Sequence, residues 1–163
     1  MNNLRDGEKL FTEIIPVLIP FIKRFEGFSE KRYICPGGKL TIGYGHVIRN
    51  DEVIQDEITE EFATKLLELD AKISYDQLLK TLPITIRSSF SIGKYCALID
   101  FIFNLGIGNF TSSTLCKVIK EEQFLRVPTE LMRWVYAGDK ILKGLQRRRI
   151  AEIKLWDPFL FKE

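Results

Sequence analysis

Apolar residues recur along this chain at spacings of three and four, and each place where that rhythm breaks marks the end of an element. Phe62, Leu66, Leu69 and Ile73 form one such stripe. Thr59, Glu60 and Glu61 stand in front of it, a residue suited to capping followed by acids suited to the positive end of a helix dipole. The spacing predicts a long helix running to about Leu82, with Pro83 beyond. Ile92, Cys96, Ile99 and Phe103 form a second stripe, opened by Ser91 and ended near Gly106. Asn109 to Ser113 reads as polar punctuation and Leu115 to Glu122 as a further helix. Pro128 and Thr129 start another through Val135, and Gly144 precedes a last one, Leu145 to Trp156, which Pro158 stops. Near the start, Pro20 suits the first turn of a short helix, PFIKRFEG, which Gly27 ends with Glu26 in the last turn.

Short β-prone runs replace the helical pattern at Tyr33 to Cys35 and Lys39 to Ile42, with Pro36, Gly37 and Gly38 between them. A three-residue loop pairs Cys35 with Lys39, Ile34 with Leu40 and Tyr33 with Thr41. Because side chains alternate faces, Tyr33, Cys35, Lys39 and Thr41 share a polar face, and Ile34, Leu40 and Ile42 an apolar one. Cys35 and Thr41 are then diagonal neighbours roughly 7 to 8 Å apart, with room for a water between sulfur and hydroxyl. The expected architecture is α+β in one domain over 1–163. A small hairpin lobe covers about 20–58, a linking helix about 59–82 and a helical lobe about 83–163, with a cleft between the lobes.

Composition supports a globular chain with a substantial core: 163 residues, 45% hydrophobic and 28% charged. The net charge of +2 is unevenly spread, with 11 basic and 14 acidic side chains over 1–80 but 13 and 8 over 81–163. A basic C-terminal half attracts an anionic polymer. Nucleic acid is disfavoured, because Lys140, Lys143, Arg147, Arg148, Arg149 and Lys154 form no recognisable reading motif. The three consecutive arginines cannot all face one way: at least one is solvated, and another anchors the lobe or meets substrate.

Cys35, Cys96 and Cys116 show neither pairing symmetry nor metal-ligand spacing, which fits a reducing compartment at synthesis. Cys96 and Cys116 lie in apolar helical patterns and read as core. So do Trp134 and Tyr136. The apolar run Ile14 to Ile22 is too short to span a bilayer, is broken by Pro16 and Pro20, is preceded by Asp6 and Glu13, and lacks a small-residue cleavage site. No export signal and no stable membrane insertion are expected.

The candidate chemistry lies between Phe25 and His46, FEGFSEKRYICPGGKLTIGYGH. Glu26 sits among Phe21, Ile22, Phe25 and Phe28. Apolar neighbours disfavour a carboxylate and suit a proton donor. An acid facing a held water is what hydrolysis of a glycosidic bond requires.

Glu26, Cys35 nine positions on, Thr41 six further and then TIGYGH resemble the catalytic signature of the phage-type lysozymes, glycoside hydrolase family twenty-four. ALIDFIFNLGIGNF (97–110) and WVYAGDKILKGLQRRRIAEIKLW (134–156) are similar to blocks of that family's helical lobe. The resemblance implies a lysozyme-like fold and cleavage of the β-1,4 bond between N-acetylmuramic acid and N-acetylglucosamine by an endolysin. It implies no metal and no organic cofactor, a monomer, and a peptidoglycan substrate whose lactyl-linked peptides carry carboxylates. Synthesis in the host cytoplasm and action on the wall in the periplasm would depend on a holin.

Many members carry Asp at the position of Cys35. The thiol either orients the attacking water with Thr41 or, as a thiolate favoured by Lys31, Arg32 or Lys39, stabilises or captures the oxocarbenium-like sugar. A disulfide through Cys35 would then silence the enzyme. Tyr44, Asn104 and Ser113 are candidate substrate contacts, although Asn104 equally suits backbone near a helix end and Ser113 the cap of the next helix. The resemblance pairs His46 with Asp70 and gives it a structural role. Two rival readings predict other outcomes: a lytic transglycosylase would leave anhydro ends, and a non-catalytic wall-binding protein would bind sacculi without clearing them.

Overall fold

The computed structural model describes residues 3–161; residues 1, 2, 162 and 163 of the expected unit lie outside the described residues, as does the side chain of Asp6. The first helix, α1, spans Asn3–Phe25, far longer than the short helix expected from Pro20. Phe11, Ile14, Leu18 and Ile22 bury one face of it, while Pro16 and Pro20 are exposed on the other. A proline inside a helix leaves a carbonyl four residues back without its N–H, and here those carbonyls, of Thr12 and Pro16, stand on the solvent side. Packing of the apolar face overrides the break.

The chain then forms a three-stranded antiparallel sheet of β1 (Ser29–Ile34), β2 (Leu40–Gly43) and β3 (His46–Val47), in that order. Tyr33 pairs with Thr41 and Ile34 with Leu40, as expected. The Cys35 N–H donates to the Lys39 carbonyl at 3.0 Å, and Gly38, at φ 75°, closes the turn by donating to the Cys35 carbonyl at 2.8 Å. The expected apolar face does not pack as one. Ile42 is buried, but Ile34 is 65% exposed and Leu40 is exposed as well, because the hairpin tip projects beyond the core. Burial follows position along β2, and Thr41, Ile42 and Gly43 are all covered.

Helix α2 runs Glu60–Thr81 with Thr59 accepting from the Phe62 N–H at 3.2 Å and Leu82 at its end, within a residue of expectation. Its buried face is another matter. Ala63, Leu66, Leu67, Ala71, Tyr75 and Leu78 face inward, so of the expected stripe Leu66 is buried, whereas Phe62, Leu69 (62% exposed) and Ile73 are exposed. Two stripes of helical period lie on this helix, and the one with small alanines allows close approach. The Tyr75 hydroxyl donates to the Gly7 carbonyl at 2.8 Å, which ties α1 to α2.

After the single turn α3 (Ile84–Arg87), helix α4 (Ile92–Leu105) runs through the middle of the molecule, buried on all sides from Tyr95 to Ile102. Ser91 caps it, accepting from the Lys94 N–H at 3.3 Å. Residues 109–112, read as punctuation, belong instead to a short helix, α5 (Ile107–Ser112), held by Phe110, which is fully buried against Phe101. There follow α6 (Thr114–Lys120), a 3₁₀ turn (Phe124–Arg126), α7 (Val127–Met132), the hairpin β4 (Tyr136–Ala137) and β5 (Lys140–Ile141), and α8 (Lys143–Trp156). Helix α7 ends before Val135 because the chain turns into that hairpin. Tyr136 lies on it, 55% exposed and outside the core, while Trp134 packs edge-on against Phe101 at 5.4 Å.

Helices α4 and α8 cross closely. A Cβ on Gly93 would stand 2.2 Å from the Leu155 carbonyl oxygen, so no larger residue fits without separating them. That crossing sets α8 against α4 and brings its arginines to the site.

Candidate active site

Glu26 follows the last helical residue of α1, and its N–H still donates to the Ile22 carbonyl at 3.0 Å. Its side chain is 25% exposed. The surroundings are not the wholly apolar ones its sequence neighbours suggest. Nη1 of Arg148, from α8, donates to Glu26 Oε1 at 2.5 Å. The rest of that guanidinium forks onto Asp100 of α4, Nε to Oδ2 at 2.8 Å and Nη2 to Oδ1 at 2.7 Å. Burial works against the Arg148 charge, but the Asp100 carboxylate more than offsets it and Glu26 adds to it, so the guanidinium is held above its ordinary value. Such a two-pronged pair is geometrically rigid. It fixes where Glu26 points.

Beside it, Arg149 is fully buried over the Phe101 ring and donates to Glu152 Oε1 at 2.6 Å and Asn104 Oδ1 at 2.9 Å. Burial, then the neighbouring Asp100 carboxylate, push the Glu152 carboxyl well up. Of the three consecutive arginines, only Arg147 is exposed.

Two cavities share Glu26 and Asn104. The larger, about 890 Å³, is lined by Arg24, Phe25 and one face of α8. The smaller, about 430 Å³, is lined by Tyr44, Gly45, Val47, Arg49, Asp70 and Ile73. The Gly45 backbone comes close to the acid: a Cβ there would lie 3.8 Å from Glu26 Oε2.

On the hairpin, Thr41 is only 2% exposed, and its hydroxyl donates to the Lys39 carbonyl at 2.9 Å. Cys35 is a half-exposed free thiol. The Lys39 main chain holds it below its usual range, with slight burial opposing. Cys35 and Thr41 stand on the same hairpin, Cys35 bonded to Lys39 and Thr41 paired with Tyr33. Burial first, then the charges of Glu26 and Cys35, raise the Tyr33 phenol, and neither Cys35 nor Thr41 is among the residues lining the two cavities.

The remaining candidates divide. Asn104 stands at both cavities. Tyr44 lines the smaller one with its ring, but its hydroxyl is committed to Glu60 Oε1 at 2.6 Å, and Lys23 sits over the ring. Ser113 is not brought to Glu26. It caps α6, accepting from the Cys116 N–H at 3.0 Å and donating to the Phe110 carbonyl at 2.6 Å, beside a separate depression.

His46 is buried and bonded through Nδ1 to Asp70 at 2.8 Å, as the resemblance implied, and through Nε2 to Glu52 at 3.1 Å. Asp70 raises the imidazole, against burial, and Glu52 adds to it. Cys96 and Cys116 are buried, and burial pushes Cys96 up to about 12. Among the described residues no group of three or more His, Cys, Asp or Glu is arranged to hold a metal ion.

The residues that sequence reasoning missed here are Asp100, Arg148, Arg149 and Glu152 in their specific pairings. One signal was available. A lone acid inside ALIDFIFNL must find a buried cation, and the three consecutive arginines, which cannot all face solvent, offered one.

A model of the phage lysozyme family matches residues 23–152. The chain is 35% identical over 140 residues to the endolysin of Acyrthosiphon pisum secondary endosymbiont phage 1, covering 83% of this chain and 92% of that protein. It is 36% identical over 140 residues to the endolysin of Bacillus phage B103, covering 85% of this chain. It spans about half, 51%, of that relative's length. Among solved structures, the muramidase domain of SpmX from Asticaccaulis excentricus superposes with a TM-score of 0.74 at 26% identity, covering 85% of this chain and 92% of that one.

Proposed function

The chain belongs to the phage lysozyme family, and from that footing we propose that it is an endolysin, a muramidase acting on bacterial peptidoglycan to lyse the host cell. It hydrolyses the β-1,4 bond between N-acetylmuramic acid and N-acetylglucosamine. Glu26 protonates the leaving glycosidic oxygen, and Cys35 with Thr41 manages the attacking water from the hairpin side. The observation that carries this reading is the place of Glu26, a partly exposed carboxyl shared by two cavities and held by Arg148.

The chemistry follows from the contacts. Thr41 gives its hydroxyl proton to the Lys39 carbonyl, so what it offers a water is a lone pair, which accepts one water proton and aims the oxygen. The Cys35 thiol ionises more readily than usual and polarises the second proton. Asn104, with Oδ1 held by Arg149, offers its Nδ2 protons to a sugar acetamido oxygen, and Tyr44 supplies an aromatic wall. Ser113, engaged in capping α6, takes no part. The protein works as a monomer, one lysozyme-like domain over 1–163. It is made in the host cytoplasm and reaches the periplasmic wall after a holin opens the membrane. Free, buried Cys96 and Cys116 suit a reducing site of synthesis, and among the described residues no helix is long and apolar enough to cross a membrane.

The test is clearing of chloroform-treated Gram-negative cells, with mass spectrometry of the released muropeptides. Reducing ends and loss of clearing by at least about a thousandfold in Glu26→Gln are the expected outcome. Anhydro-muramyl ends would reassign the reaction to transglycosylation, and binding without clearing would make the protein a wall-binding module.

A further inference from the structure

Arg149 and Glu152 form an ion pair that serves stability poorly. Both are fully buried, and burial, against the opposing pull of Glu152 and Asp100, holds the Arg149 guanidinium below its ordinary value. Among the described residues, Nε and Nη1 of Arg149 and Oε2 of Glu152 have no hydrogen-bond partner. Arg148 next to it commits Nε, Nη1 and Nη2 to carboxylates, whereas Arg149 uses Nη2 alone. A buried pair this incomplete is commonly matched or bettered by well-packed apolar side chains. Its use lies in what it touches.

That contact is Asn104. Nη2 of Arg149 donates to Glu152 Oε1 at 2.6 Å and to Asn104 Oδ1 at 2.9 Å. The ring of Phe101, one turn before Asn104 on α4, lies against the guanidinium at 5.0 Å, so a carboxylate and a ring together fix where the arginine aims. A guanidinium only donates, and the amide must therefore turn its oxygen toward it. The opposite orientation would set the amide NH2 against Nη2, two donors face to face away from water. Asn104 is half-buried and lines both cavities with Glu26, and among the described residues its Nδ2 has no partner. The protons left over face the cavities.

The inference rests on the muramidase reading and adds two residues to it. We propose that Arg149, steadied by Glu152, is a positioning residue that locks the Asn104 amide with its oxygen inward, so that the cleft presents a fixed hydrogen-bond donor beside Glu26 and reads an acyl oxygen of the glycan there. An N-acetyl group supplies such an oxygen, whereas the ammonium left by N-deacetylation only donates. Without the arginine both amide orientations are open, and the cleft offers donor and acceptor in turn.

Glycan strands would be offered fully N-acetylated and after enzymatic removal of N-acetyl groups, with thermal melts recorded for each variant. Arg149→Met/Glu152→Met exchanges the pair for apolar side chains, and it should melt no lower than the parent while its kcat/KM on N-acetylated strands falls about tenfold. Asn104→Asp keeps a partner for Arg149 and turns the group facing the cleft into an acceptor. It should also melt no lower than the parent, lose about a hundredfold on N-acetylated strands, and lower the ratio of rates on N-acetylated to N-deacetylated strands by at least about tenfold.

An apolar double variant that folds and cuts as fast as the parent would overturn the lock. An Asn104→Asp protein that cuts like the parent, or loses equally on both forms, would overturn it too, and this ratio decides alone if the double variant does not fold. In each of these cases a parent that cuts glycan leaves the muramidase reading standing. A parent that cuts neither form would overturn both.

Discussion

The two walls of the proposed site, one on the hairpin and one on the helices, are held by different forces. On the hairpin wall, Cys35 and Thr41 are placed by main-chain bonds within a few residues, and their hydroxyl, thiol and carbonyl partners all belong to the same turn. On the helical wall, Glu26 is held by Arg148, 122 residues away, which is held in turn by Asp100, 48 residues back. The tip of the first projects beyond the core, with Ile34 exposed, while Thr41 and Ile42 at its base are buried. The second is anchored in the core, since Asp100, Arg149 and Glu152 are fully buried.

Breaking the helical wall should have the largest effect. Arg148→Met leaves Asp100 buried without its cation, a loss of about 3–5 kcal/mol, and the melting temperature should fall by roughly 10 °C or more. Clearing activity should vanish with it, because Glu26 loses its positioning. A variant that melts like the parent would show that the Arg148 fork holds nothing.

The hairpin wall should yield less. Gly38 sits at φ 75°, where a side chain costs about 1–2 kcal/mol. Gly38→Ala should therefore lower the melting temperature by a few degrees while leaving the core intact. Calorimetry checks this, and a loss as large as that of Arg148→Met would erase the distinction between the walls.

The smallest effect belongs to His46, which ties the sheet to α2. Its folded pKa is raised, chiefly by Asp70, so its contribution is complete below the unfolded value near ~6.5 and is lost as pH rises through the higher folded value. The stability gap between the parent and His46→Gln should be widest at about pH 6 and narrow toward about pH 9. Thermal melts across that range test the sign, and a gap that widens with pH would contradict it.

The same contrast explains what could be read from the chain. The hairpin register was legible because Pro36, Gly37 and Gly38 fix it locally, and both ends of α2 were legible from Thr59 and Pro83. Which stripe of α2 turns inward was not, since Leu69 and Ala71 lie on stripes of equal period and only the neighbouring elements decide between them. The full length of α1 was hidden by Pro16 and Pro20, whose cost depends on which side of the helix meets solvent. Glu26, Cys35 and Thr41 were nominated from spacing and resemblance. The ion pairs behind Glu26 were not, because nothing local links Arg148 to Asp100.

The most direct test of the account is the rate at which Cys35→Ala clears purified sacculi, measured alongside its melting temperature. A thiol that works with Thr41 on the attacking water predicts a rate lower by about a hundredfold or more with the melting temperature unchanged. Clearing as fast as the parent's would contradict it.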